Sequence, residues 1–138
     1  MIIDAKDLIL GRLSTIVAKR TLLGEKIDIV NCEKAVISGK RKNILESYIW
    51  KRSIGGTAQK GPYTPRRSEK LVKRTIRGML PYKRERGLKA LKNIKCYYGI
   101  PQEFKGKEII TIKEANKSRL EDTNYITVGH ICNQTGGE

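Results

Sequence analysis

Lys70, Lys73, Arg74 and Arg77 are spaced for one side of a helix: at 100° per residue they fall within about 100° of one another. Leu71, Val72, Thr75, Ile76 and Met79 take the opposite side. One face is therefore read as core and the other as a cationic stripe with no acid among its members. Like charges one turn apart weaken an isolated helix by about 0.2–0.5 kcal/mol per pair. A bound polyanion removes that penalty, and each phosphate contact also releases condensed counterions. The preceding loop, Lys60-Gly61-Pro62-Tyr63-Thr64-Pro65-Arg66-Arg67, adds an aromatic ring and two guanidinium groups to a chain that Gly and Pro keep extended. Arg pairs with phosphate through two hydrogen bonds or stacks on a base, and Tyr63 offers a stacking surface. This chemistry suits irregular folded RNA better than duplex DNA.

The same charge spreads to both sides. Lys40, Arg41 and Lys42 open an upstream helix and Lys51 and Arg52 close it. Lys83, Arg84 and Arg86 extend the patch past Pro81. Between Lys40 and Lys95 there are 18 basic residues against three acids, Glu46, Glu69 and Glu85. That segment alone carries +15, the net charge of the whole chain, and the remainder is neutral. A merely solubilising surface does not require such segregation. Arg12, outside the segment, has its head free for solvent or RNA.

Other chemistry is poorly supported. Gly11-Arg12-Leu13-Ser14 lies where a dinucleotide-binding loop would lie, between strand and helix, but it lacks G-x-G-x-x-G, and no phosphate-loop pattern occurs elsewhere. His130, the single histidine, has no evident Ser-His-Asp or Cys-His partners and no second histidine for a metal. It is read as structural or surface-exposed. Asp4, Asp7, Asp28 and Glu33 are too scattered for a carboxylate pair. Cys32, Cys96 and Cys132 lack a Cys-x-x-Cys pair and read as free thiols in a reducing cytosol. No cofactor, metal or small-molecule substrate is expected.

The elements that must position the stripe are those of an α/β chain. At 138 residues it makes one domain and buries roughly two-thirds of its unfolded surface. Ile2-Ile3 with Ala5 reads as a strand, Leu10 to about Leu23 as a helix with Leu13, Ile16, Val17 and Leu23 inward, Gly24 as its stop, and Ile27–Val30 as a second, parallel strand of a βαβ unit. Val36-Ile37 adds a short strand. Ser38 is expected to cap a helix over Lys40–Arg52 with Ile44, Leu45, Tyr48 and Ile49 inward and Trp50 just off that face. Residues 53–65 read as an arm or long loop. Ser68 is expected to cap the stripe helix, which ends near Gly78. A further helix over Lys83–Asn93 is interrupted by Gly87, and Ile94, Cys96 and Tyr98 alternate as a strand. Ile109–Ile112, a helical stretch around Lys113–Leu120, and Tyr125–Cys132 complete the chain. No apolar run approaches the roughly 20 residues of a membrane span, and the N-terminus lacks a secretory pattern.

Several stretches carry a family resemblance: Leu10-Gly11-Arg12-Leu13-Ser14, Ile29 through Gly39, Gly61-Pro62-Tyr63 with Pro65-Arg66-Arg67, Arg77-Gly78-Met79-Leu80-Pro81, Gly87 through Ala90, and Lys95-Cys96-Tyr97-Tyr98-Gly99, with Tyr125-Ile126-Thr127-Val128-Gly129 further on. In this order they resemble the universal large-subunit ribosomal protein L13 family in its archaeal and eukaryotic form. The chain lacks the bacterial insert between first helix and second strand and the long eukaryotic C-terminal extension, which implies an archaeal source. The resemblance implies a three-layer α/β/α sandwich around a small, mainly parallel sheet. It also implies a cytoplasmic place in the ribosome, large-subunit ribosomal RNA and neighbouring ribosomal proteins as partners, an early-assembly role, and no enzymatic activity or cofactor. A free-standing RNA-binding translational regulator is the alternative that composition leaves open.

Overall fold

The computed structural model describes residues 1–55, 59–120 and 124–137. Strands β1 (Ile2–Asp4), β2 (Ile27–Val30) and β4 (Ile94–Cys96) form a parallel sheet with β2 in the centre. Strands β3 (Val36–Ser38) and β5 (Tyr125–Thr127) form a separate antiparallel pair. The helices are α1 (Leu10–Leu22), α2 (Arg41–Ser53), α3 (Ser68–Gly78), α4 (Glu85–Lys92) and α5 (Val128–Gln134). The mixed α/β class and the mainly parallel sheet are those expected.

Alternation sets the two faces of the sheet. Ile3 pairs with Ile29 and Ile29 with Cys96, while Ile27 pairs with Ile94. This face is buried beneath α1 and α3, where Leu13, Val17, Leu71, Val72 and Ile76 join one core with Leu80 and Ala90. The opposite face carries the row Ile2, Asp28, Lys95.

Helix α1 buries Leu10, Leu13, Ser14, Val17, Ala18 and Thr21, a complete i, i+3, i+4 stripe. Leu23 was expected inward and is 74% exposed; it lies roughly 150° around the helix from the centre of that stripe. Gly24 does end the helix. At φ 99° its N–H reaches the Thr21 carbonyl at 3.1 Å and the Glu25 N–H reaches Arg20 at 3.3 Å, which satisfies two carbonyls of the last turn.

Both expected serine caps are displaced. Ser38 is the last residue of β3, and Lys40 precedes α2 without a side-chain cap bond. Ser68 is the first helical residue of α3 after Arg67, and its buried hydroxyl has no partner among the described residues. Gly87 does not interrupt α4. It allows the helix to press on the turn before it, since a Cβ at that position would sit 2.2 Å from the Pro81 carbonyl oxygen. Strand β4 stops at Cys96, and Tyr98 is exposed. The Ile109–Ile112 element reduces to one parallel bridge from Ile110 to Ile3, and Lys113–Leu120 to two 3-10 turns, Lys113–Ala115 and Lys117–Arg119. Of the expected arm at 53–65, residues 56–58 lie outside the described residues. No helix among the described residues is long and apolar enough to cross a membrane.

Candidate nucleic-acid interface

Helix α3 is fixed by its apolar side: Leu71, Val72 and Ile76 are buried. Met79, expected with them, ends the helix and is exposed. Fixing that side turns the cationic stripe outward. There a groove of about 480 Å³ is lined by Tyr63, Pro65, Lys70, Lys73, Arg74, Arg77 and Leu91. All four stripe residues and the loop tyrosine meet in it, and among the described residues no acid lines it.

The stripe residues are held to different degrees. Lys70 is exposed and has no hydrogen bond or ion pair among the described residues. Lys73 is half-buried and its Nζ donates to the Ile94 carbonyl at 2.7 Å, tying α3 to the end of β4. Arg74 Nη1 donates to the Tyr63 carbonyl at 2.6 Å and so holds the loop against the helix. The Arg77 guanidinium lies 5.0 Å from the centre of the Tyr82 ring, a cation–π contact that orients it along the groove rim. Tyr63 itself is 68% exposed. The result is a concave wall of fixed positive charge with a ring at one edge, suited to a phosphate backbone that brings an unpaired base.

The remaining sequence candidates divide. Lys83, Arg84 and Arg86 are exposed around the start of α4 and continue from Tyr82. Lys60, Arg66 and Arg67 are exposed on the loop. Lys51 lines a neighbouring groove of about 400 Å³ that shares Arg74, and its Nζ stands 5.1 Å over the Tyr48 ring. Lys40, Arg41 and Lys42 are not brought to the α3 groove. They sit at the far end of α2, a helix about 20 Å long, where Arg41 Nε donates to the Tyr125 carbonyl at 3.1 Å and Lys42 pairs with Glu46 at 3.9 Å. Arg52 is a structural tie: its guanidinium donates to the Pro65 carbonyl at 2.9 Å and to the Thr135 carbonyl. Arg12 is exposed on the first turn of α1 and lines none of these grooves.

Sequence reasoning missed Leu91 and Tyr82. Leu91 packs against the core and also forms a wall of the groove. Tyr82 follows the proline that ends the α3 turn, and its proximity to Arg77 depends on that turn's path. The expected inward face of α2 is met in part: Ile44, Leu45 and Tyr48 lie on its covered side and Ile49 does not. No residue of α2 is fully buried, and Trp50 faces solvent.

The two buried thiols, Cys32 and Cys132, are not activated nucleophiles. Cys32 is pushed far above its ordinary value, first by its hydrogen bond to Cys96 and then by burial, and burial likewise raises Cys132. His130 is exposed, and its backbone N–H is held by Thr127 Oγ1 at 3.3 Å. Among the described residues no group of three or more His, Cys, Asp or Glu is placed to hold a metal ion.

The family described as ribosomal protein L13 matches residues 1–103. The chain is 46% identical over 137 residues to the large ribosomal subunit protein uL13 of Methanococcoides burtonii, covering 99% of this chain and 98% of that one. It is 49% identical over 138 residues to the uL13 of Methanosarcina barkeri, with the same coverage. With the uL13 of Sulfolobus acidocaldarius the identity is 42% over 140 residues, covering 99% and 93%. The chain belongs to the ribosomal protein L13 family.

Proposed function

We propose that this protein clamps folded large-subunit ribosomal RNA and joins the particle early in assembly. Membership in the family makes it a constituent of the large ribosomal subunit, a structural component rather than an enzyme. Its place is then the cytoplasmic ribosome, with ribosomal RNA and neighbouring ribosomal proteins as partners. The whole chain acts as one domain, and residues 40–95 supply the RNA-binding segment.

The observation that carries this reading is the groove beside α3, lined by four cations and, among the described residues, by no acid. Its cations are held by an apolar face on one side and by bonds to Ile94 and Tyr63 on the other. A groove already in shape loses little side-chain freedom when it meets phosphate. Lys83, Arg84 and Arg86 would reach a second RNA segment beyond Tyr82. Specificity comes from the shape of the RNA, because these contacts address phosphates and a stacked base rather than base edges.

A salt titration tests it. Binding to large-subunit ribosomal RNA is compared with binding to an unrelated folded RNA of equal length. The expected result is a steep fall of log affinity with log salt and a clear preference for the ribosomal RNA. Changing Lys70 and Arg77 to Ala lowers the slope by about 0.7–0.9 per lost phosphate contact and leaves the fold intact, since neither holds a backbone carbonyl. Lys73 is a poorer choice because of its bond to Ile94. Equal affinities for the two RNAs, or an unchanged slope in the double variant, would overturn the reading.

A further inference from the structure

From the outer edge of the parallel sheet, we infer that this protein docks an extended strand of a neighbouring polypeptide along residues 109–112. The inference rests on the protein's place in the large subunit proposed above. Ile110 uses both of its backbone groups on β1: its N–H donates to the Ile2 carbonyl at 2.9 Å, and its carbonyl accepts the Asp4 N–H at 3.0 Å. In a parallel ladder the residues on either side then point their N–H and C=O groups away from β1. The backbone groups of Ile109 and Thr111 accordingly have no backbone partner among the described residues. They are an open template for another strand.

Beside this edge lies a cavity of about 710 Å³. Leu23, Ile16, Ile110 and Ile112 supply its apolar wall. Leu23 is 74% exposed and Ile110 43% exposed, so two large aliphatic side chains face the space where a strand's own side chains would project. The charged groups around the cavity are of both signs, three basic and two acidic: Lys19, Arg20 and Lys113 with Glu25 and Glu114, Arg20 and Glu25 being 4.0 Å apart. The contrast with the α3 groove, which is lined by four cations and, among the described residues, no acid, selects the occupant. Two carboxylates repel a phosphate backbone, whereas an apolar centre with a mixed polar rim is the composition of a protein–protein contact. Backbone pairing at Ile109 and Thr111 supplies affinity, and the cavity selects an aliphatic or aromatic side chain on the incoming strand.

The test uses the protein inside isolated large subunits, with a photo-crosslinking phenylalanine analogue in place of Leu23. The expected product joins position 23 to one contiguous stretch of a single protein neighbour. The Thr111 amide becomes protected from hydrogen exchange in the subunit but not in the free chain. Thr111→Pro removes the outward N–H without breaking a bond of the free fold, and it lowers the crosslink yield about tenfold. In a second variant, Leu23→Asp, which changes a side chain that is already solvent-facing, protection of Thr111 in the subunit is lost. Crosslinks to RNA alone, an unprotected Thr111 amide, or a yield indifferent to Thr111→Pro would overturn the inference. Failure of the protein to sediment with large subunits at all would instead overturn the functional reading on which it rests.

Discussion

Helices α2 and α3 carry the same charge, four basic residues against one acid in each, yet they are attached to the molecule by different means. Helix α3 buries Leu71, Val72 and Ile76, so the hydrophobic effect anchors it and its cations are turned to solvent. Helix α2 buries no residue fully, though Tyr48 packs partly buried against the core. Its inner side presents Arg41, Ile44, Leu45, Tyr48 and Arg52, which share about 100° of the helix, and the two arginines tie it down through the carbonyls of Tyr125, Pro65 and Thr135. In α3 too, Lys73 and Arg74 hold carbonyls of the chain, but they line the open groove while doing so, whereas Arg41 and Arg52 are spent on the inner side of α2. On the function proposed above, equal charge in the sequence therefore becomes unequal capacity to bind RNA.

The largest consequence concerns stability. Ile76→Ala removes a fully buried side chain from the core and costs about 2–5 kcal/mol. Leu45→Ala, on the half-covered side of α2, costs well under half as much. Urea unfolding of the two variants measures both. A Leu45→Ala cost equal to that of Ile76→Ala would mean that α2 is anchored by burial after all, and the contrast between the helices would fail.

The next effect is local. Arg52→Met keeps the apolar stem but removes the bonds to Pro65 and Thr135. Bonds from a charged donor are each worth about 1.5–3 kcal/mol, reduced here because the site is only half-buried. The expected outcome is faster amide exchange across α2 and around Thr135, with exchange in α3 unchanged. Trp50, the only tryptophan and 63% exposed on the outer side of α2, gives a second readout of the same loosening. Exchange that accelerates equally in both helices would show that Arg52 supports the core rather than α2 alone.

What the sequence revealed follows the same division. Features that arise from near neighbours were legible: the Gly24 stop, the paired strands around α1, and the two faces of α3, where spacing alone separates Ile76 from Arg77. Features that depend on distant parts of the chain were not. Arg52 is 83 positions from Thr135 and Arg41 is 84 from Tyr125, and nothing in the spacing of a basic residue announces that it will hold a carbonyl so far away. The antiparallel pairing of Val36 with Thr127 is equally remote, and it placed Ser38 in a strand instead of at a helix cap. Leu23 fails for another reason. Its spacing from Ile16 and Arg20 fits a helical face, but the competing stripe from Leu10 to Thr21 buries more apolar surface and sets the rotation of the helix.

The smallest effect sharpens the comparison through pH. Burial raises the Tyr48 phenol above its ordinary value, with Cys132 adding to the rise and Arg52 opposing it. Burial raises the Cys132 thiol too. A group whose value is raised on folding binds its proton more tightly in the folded state. Its contribution is fully present below the unfolded value, 10.0 for Tyr48, and is lost as pH climbs through the raised folded value. The ties of Arg41 to Tyr125 and of Arg52 to Pro65 do not involve the phenol, so they persist while it ionises. Helix α2 should therefore loosen above pH 10 before α3 does, seen as a change in Trp50 emission that Tyr48→Phe abolishes. The buried residues of α3 include no titratable group, so any change in its exchange rates over the same interval, corrected for the intrinsic effect of pH, should be smaller than that in α2 and insensitive to Tyr48→Phe. If Tyr48→Phe left the Trp50 transition in place, the anchoring of α2 would have to lie elsewhere than on its half-buried polar side.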